Sequence, residues 1–119
     1  MKILLVDDDP ASLKYLEEIM KMFGYSYETA TTGREVMKYL NSQKQFDIIL
    51  LDIQLPDTNG FEFVEQIRNN TKDIKIIAQT AYAMQTDEIR TLESGCDDYI
   101  SKPVDADLLK EKIEILSKK

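Results

Sequence analysis

The most apolar stretch of the chain, Phe46-Asp47-Ile48-Ile49-Leu50-Leu51, ends abruptly at a lone carboxylate, Asp52. Successive side chains of a strand point to opposite faces, so a run that is apolar at both parities must be covered on both sides. That is the position of an interior strand in a parallel sheet with helices on each face. In open sheets of this kind ligands bind in the crevice outside the carboxyl ends of the strands. Asp52 stands at such an end, before Ile53-Gln54-Leu55-Pro56, and is the first residue to consider for function.

The same punctuation recurs along the chain. Ile3-Leu4-Leu5-Val6 reads as another buried strand that stops at Asp7-Asp8-Asp9-Pro10. Proline suits the first turn of a helix, and Asp9 can cap that helix's free N–H groups. Leu13, Leu16, Ile19, Met20 and Phe23 follow helical spacing up to a stop at Gly24. Tyr25 to Ala30 alternates, which predicts a strand nearer the sheet edge, and Thr32-Gly33-Arg34-Glu35 has capping-box spacing for a helix to about Leu40. After Asp52, Pro56-Asp57-Thr58-Asn59-Gly60 is a loop by composition, with Asp57 simply solvated, and Phe61, Val64 and Ile67 form a helical stripe. Ile74 to Ala78 predicts the fourth strand, stopping at Gln79-Thr80-Ala81. Met84, Ile89 and Leu92 mark a thinner helical stripe that ends at Gly95. Tyr99-Ile100-Ser101 predicts a fifth strand, broken by Lys102-Pro103. Asp105 or its neighbour opens a last helix carrying Leu108, Leu109, Ile113 and Leu116.

Five strand-helix units without linker, repeat or low-complexity tract predict a single domain over residues 1–119. The expected architecture is α/β, a doubly wound parallel sheet with right-handed crossovers. A chain of 119 residues can bury such a core without disulfides or a structural metal. With 22 acidic against 15 basic residues, its net charge of −7 opposes binding to a nucleic-acid backbone, so no nucleic acid is expected as a partner. Cys96 is the single cysteine, read as a small buried filler in a reducing compartment. The amino-terminal apolar run is too short for a signal peptide or membrane span, so the expected location is cytoplasmic, with no membrane partner. The chain has no histidine, which removes Ser-His-Asp and Cys-His catalysis and histidine metal ligation. Charged helix positions such as Glu17-Glu18 and Lys110-Glu111-Lys112 read as solvated surface.

Residues that follow the strands share one edge of this sheet: Asp7-Asp8-Asp9, Asp52, Thr80 and Lys102. If the first and third strands are neighbours, two or three carboxylates fall within about 5 Å, where each pair repels by about 3 kcal/mol at an effective dielectric near 20. A positive charge must sit among them. With only oxygen ligands on offer, a hard divalent cation such as magnesium suits the position. Lys102 adds a fixed cation and Thr80 a neutral hydroxyl donor. Together they suit an oxyanion of high charge density, best a phosphoryl group.

Val6-Asp7-Asp8, Asp52 with Pro56 and Gly60 after it, Thr80-Ala81, and Tyr99 with Lys102-Pro103 resemble, over the whole chain, the receiver domain of two-component response regulators. The run from Ala78 to Val104 is more similar to single-domain and hybrid-kinase receivers than to those of transcription factors. The resemblance implies a flavodoxin-like fold with strand order 2-1-3-4-5, and phosphoryl transfer to Asp52 from a histidine kinase or histidine phosphotransfer protein. It implies that Asp8, Asp52 and the backbone carbonyl of Gln54 bind Mg2+ directly and that Asp7 acts through a water. Lys102 would pair with the phosphoryl oxygens. Thr80 would turn its hydroxyl toward them while Tyr99 moves inward, changing the surface of the fourth helix, fifth strand and fifth helix. Gln54 and Tyr82 match positions that tune phosphoryl decay, and the family has a cis bond before the proline matching Pro103. A downstream effector domain or protein and a phosphorylation-dependent homodimer complete the expected partners, and the domain is expected not to be an enzyme.

Two other classes compete. A magnesium-dependent phosphatase with an aspartate nucleophile would want a second aspartate where Gln54 stands. A flavin- or nucleotide-binding flavodoxin-like module would want a glycine- or hydroxyl-rich phosphate loop where Asp7-Asp8-Asp9 stands.

Overall fold

The computed structural model describes residues 1–42, 45–81 and 94–118. The strands are β1 (Lys2–Val6), β2 (Ser26–Ala30), β3 (Ile48–Asp52), β4 (Lys75–Thr80) and β5 (Asp98–Ser101). The helices are α1 (Pro10–Phe23), α2 (Gly33–Leu40), α3 (Phe61–Asn70) and α4 (Ala106–Ser117). All strand pairs are parallel, in the order β2-β1-β3-β4-β5, the flavodoxin-like arrangement. The expected helix around Met84, Ile89 and Leu92, and Tyr82 with it, lies outside the described residues. No helix among the described residues is long and apolar enough to cross a membrane.

The double-parity run behaves as strand geometry requires. Ile49 and Leu51 join Leu4, Val6, Ile76 and Ala78 beneath α2 and α3. Ile48 and Leu50 join Ile3, Leu5 and Ile77 beneath α1 and α4. None of the four is more than 1% exposed, and burying each such side chain stabilises the fold by roughly 2 kcal/mol before entropy is counted. β3 is therefore pinned from both sides, and its last residue, Asp52, inherits that rigidity.

Local signals set the helix boundaries. Asp9 accepts from the Ala11 N–H at 3.2 Å with Pro10 behind it, and Gly24 ends α1 in the left-handed region at φ 74°. At α2, Thr32 Oγ1 accepts from the Glu35 N–H at 3.1 Å, but the reciprocal capping-box bond shifts by one residue: Glu35 accepts from Thr31. Asp105 caps α4 through the Leu108 N–H at 3.0 Å.

Four expectations need correction. β4 does not stop after Ala78, because Gln79 and Thr80 still pair with Asp52 and Ser101. In α3 the buried aromatic is Phe63, while Phe61, at the first position of the helix, is only partly covered; Val64 and Ile67 are buried as expected. Leu108 in α4 is exposed, and Leu109, Ile113 and Leu116 make the buried stripe. Lys112 is not plain solvated surface, because its Nζ bonds Asp98 Oδ1 at 3.0 Å and lies 5.4 Å from the Tyr99 ring centre.

Candidate functional site at the carboxyl edge of the sheet

Register brings the strand ends together. Val6 lies opposite Leu51, and Leu51 opposite Ala78, so Asp7, Asp52 and Gln79 lie side by side at the carboxyl edge of the sheet. Carboxylate oxygens of Asp7, Asp8 and Asp52 lie within 4.8 Å of one another. Asp7 is fully buried and Asp52 is 3% exposed, whereas Asp8 faces solvent and gives the cluster an open side. Each buried carboxylate is folded onto its own loop: Asp7 Oδ1 accepts from the Asp9 N–H at 3.0 Å, and Asp52 Oδ1 from the Gln54 N–H at 2.9 Å.

Lys102 arrives from the end of β5 and donates to Asp52 Oδ2 at 2.9 Å and to Asp7 Oδ2 at 3.2 Å. Burial disfavours its ammonium, but the bonds to Asp52 and Asp7 outweigh this and raise its pKa. Burial pushes the Asp7 carboxyl above its ordinary value. The Asp9 N–H and Lys102 pull the other way without cancelling it, and the neighbouring Asp52 adds to the rise. Three carboxylates against one ammonium leave two negative charges, and the donors are all oxygens. The residues present therefore fit a hard divalent cation.

The remaining expected residues surround this cluster. Thr80 ends β4, is 9% exposed, and its carbonyl accepts the Lys102 backbone N–H at 2.9 Å, which couples the hydroxyl-bearing strand end to the lysine loop. Gln54 is exposed in the loop directly after β3. Tyr99 sits in β5 opposite Ala78, partly buried against the α2–α3 side of the core. The Lys102-Pro103 peptide is cis. Cys96 is buried, and burial pushes its thiol up to about 11, which suits a filler and not a nucleophile.

Two residues escaped the sequence reading. Gln79, 1% exposed, spans from β4 across β3 to donate its Nε2 to the Val6 carbonyl at 3.3 Å, bracing the strand that carries Asp7. A polar residue inside an apolar strand was its visible signal. Asp57, expected to be loop solvation, accepts from the Gly33 N–H at 2.9 Å and the Arg34 N–H at 3.2 Å at the start of α2. Nothing local distinguishes it from any loop aspartate.

A doubly wound sheet with an acidic cluster and a facing lysine at its carboxyl edge defines the class of protein, and comparison with known sequences narrows it. The model of the response regulator receiver domain matches residues 3–114, and the chain belongs to that family. It is 33% identical over 119 residues to the sensor histidine kinase RcsC of Salmonella typhimurium, covering 100% of this chain and 12% of that kinase. The chain thus spans about an eighth of that relative's length. A two-component response regulator from Clostridium difficile superposes with a TM-score of 0.91 at 28% identity, covering 100% of this chain and 97% of that one. The Ssk1 receiver domain, solved in complex with the histidine phosphotransfer protein Ypd1 of Saccharomyces cerevisiae, superposes with a TM-score of 0.87 at 30% identity over 95% of this chain and 86% of that one. This chain is a receiver domain of two-component signalling.

Proposed function

We propose that residues 1–119 form a single phosphoacceptor domain in which Asp52 takes a phosphoryl group from a histidine on a partner protein. The observation that carries this reading is the meeting of Asp7, Asp8 and Asp52 within 4.8 Å, with Lys102 Nζ 2.9 Å from Asp52. An oxygen of Asp52 attacks phosphorus in line, the O–P bond forms as the P–N bond to the partner imidazole breaks, and the imidazole keeps the electron pair. Lys102 then faces the charge that gathers on the phosphoryl oxygens, and its two existing bonds hold it ready. Asp7, Asp8, Asp52 and the Gln54 carbonyl would hold Mg2+, which when bound neutralises phosphoryl charge. Thr80 supplies a hydroxyl to a phosphoryl oxygen.

Such a domain captures one phosphoryl group and loses it to water, so it is a signalling element and not a multiple-turnover enzyme. Its donor is a histidine kinase or a histidine phosphotransfer protein. Recruitment of Thr80 draws Tyr99 inward and reshapes the surface of β5 and α4, which a downstream effector or a second copy reads. A single unpaired cysteine and such partners support a cytoplasmic location.

The test is incorporation of phosphate from acetyl phosphate with and without Mg2+. Label that needs Mg2+ and vanishes in Asp52→Asn supports the proposal, while sustained release of phosphate over many turnovers assigns a phosphatase instead. Amide spectra of β5 and α4 that ignore beryllofluoride would refute the switch.

A further inference from the structure

Between β3 and α3 runs the loop that carries Gln54, and hydrogen bonds fasten it to elements beyond those two at its start and near its middle. At its start the Ile53 N–H donates to the Gln79 carbonyl at 3.1 Å. Near its middle the Asp57 carboxylate spans 24 residues to accept the two first N–H groups of α2, Gly33 at 2.9 Å and Arg34 at 3.2 Å. Those N–H groups have no partner within the helix, and the helix dipole favours an anion there. The Gly33 N–H accordingly holds the Asp57 carboxyl below its ordinary range, with Arg34 helping.

The fit around this contact is close. A Cβ on Gly33 would overlap the Thr58 methyl and come within 3.3 Å of the Phe63 ring, so glycine is what lets the loop lie on α2. Within the loop, Thr58 donates from both its N–H and its hydroxyl to the Leu55 carbonyl at 3.2 Å, and Leu55 is 3% exposed. Gln54 is thereby suspended between two fixed points, Ile53 on β4 and the Leu55–Thr58 turn on α2. Its N–H reaches back to Asp52 Oδ1 at 2.9 Å.

We infer that Asp57 is a positioning residue: by clamping the loop to α2 it holds the Gln54 backbone in register with Asp52, and so sets how tightly the site binds a divalent cation. The inference rests on the proposed reading of the site and adds to it a residue outside the cluster itself. Its action is on metal affinity, not on chemistry once the metal is bound, because Asp57 touches neither Asp52 nor Lys102.

Titration calorimetry with Mg2+, thermal unfolding, and acetyl phosphate labelling across Mg2+ concentrations test this together. Asp57→Ala should weaken Mg2+ by about tenfold, the lower range for partners that orient metal ligands, with labelling rates restored at saturating Mg2+. Asp57→Asn keeps an acceptor for one of the two N–H groups and should fall between. Gly33→Ala, which props the loop away while leaving Asp57 intact, should weaken Mg2+ in the same way, and it carries the test if Asp57→Ala does not fold. The control is Thr32→Val, which removes the other cap of the same helix without freeing the loop. It should lower the unfolding temperature and leave Mg2+ affinity unchanged. Wild-type affinity in Asp57→Ala, or an equal loss in Thr32→Val, overturns the clamp. Failure of the wild-type protein to bind Mg2+ at all would instead overturn the reading of the site.

Discussion

Two charged clusters sit at opposite ends of the same sheet, and they are built on opposite terms. At the amino edge Arg68 of α3 bonds Asp97 at 2.9 Å, the Gly95 carbonyl at 2.8 and 3.3 Å, the Lys72 carbonyl at 2.9 Å and the Ile74 carbonyl. Those five bonds match the five donors of a guanidinium. Asp97 Oδ2 also takes the Ile76 N–H at 2.8 Å, so one cation meets one anion with backbone groups filling the rest. At the carboxyl edge three carboxylates face a single ammonium, and two of the three are buried. A balanced cluster fastens elements together. An unbalanced one suits a cationic ligand, because burial of uncompensated charge opposes folding. Charge imbalance, and not charge burial alone, separates the candidate site from the staple.

Substitutions at the two clusters should have separable effects. The largest effect expected is at Asp52: Asp52→Asn abolishes phosphoryl incorporation entirely, scored by phosphate labelling, while the protein stays folded. Next is cation binding itself. Mg2+ at about 100 times its Kd should raise unfolding free energy by about 2.7 kcal/mol in chemical denaturation, and the increment should survive Arg68→Ala but not Asp8→Ala. Arg68→Ala, which leaves Asp97 and three carbonyls short of a partner in a partly exposed setting, should cost about 2 kcal/mol of stability with Mg2+-dependent labelling intact in the folded fraction.

Smaller effects concern single carboxyls. The folded-state pKa of Asp7 is raised, so its contribution to stability is present below the ordinary value of 3.8 and is lost as pH rises through the folded value. At neutral pH the ionised group therefore opposes folding, and Asp7→Asn should stabilise the metal-free protein by on the order of 1 kcal/mol, seen in the denaturant midpoint, while weakening Mg2+ binding. Asp57 has the opposite sign. Its folded-state pKa is lowered, so its contribution is present above 3.8 and disappears as pH falls through the lower folded value. The stability difference between the wild type and Asp57→Ala should thus shrink only below pH 3.8, measured by unfolding across acid pH.

Much of this architecture was legible residue by residue. The Ile48 to Leu51 run announced a doubly covered strand because side-chain parity is a property of the backbone alone. Asp9-Pro10, Gly24 and Asp105 announced helix ends because capping is satisfied within a few residues. The extension of β4 through Gln79 and Thr80 was not legible, since pairing with Asp52 and Ser101 outweighs the polar break in the run. Likewise Leu108 and Leu109 are equivalent in composition, and only the orientation of α4 on the sheet decides which of them is buried.

The amino-acid order on its own determined the alternation of strands and helices and the acidic character of the strand ends, because both are written in short-range period and punctuation. Tertiary structure alone decided which charges meet. Lys102 reaches across 50 residues to Asp52 and 95 to Asp7, and Asp57 across 24 to Gly33. Those encounters follow from strand order, register and helix packing, whose energies come from contacts between parts of the chain far apart in sequence, so no local window contains them.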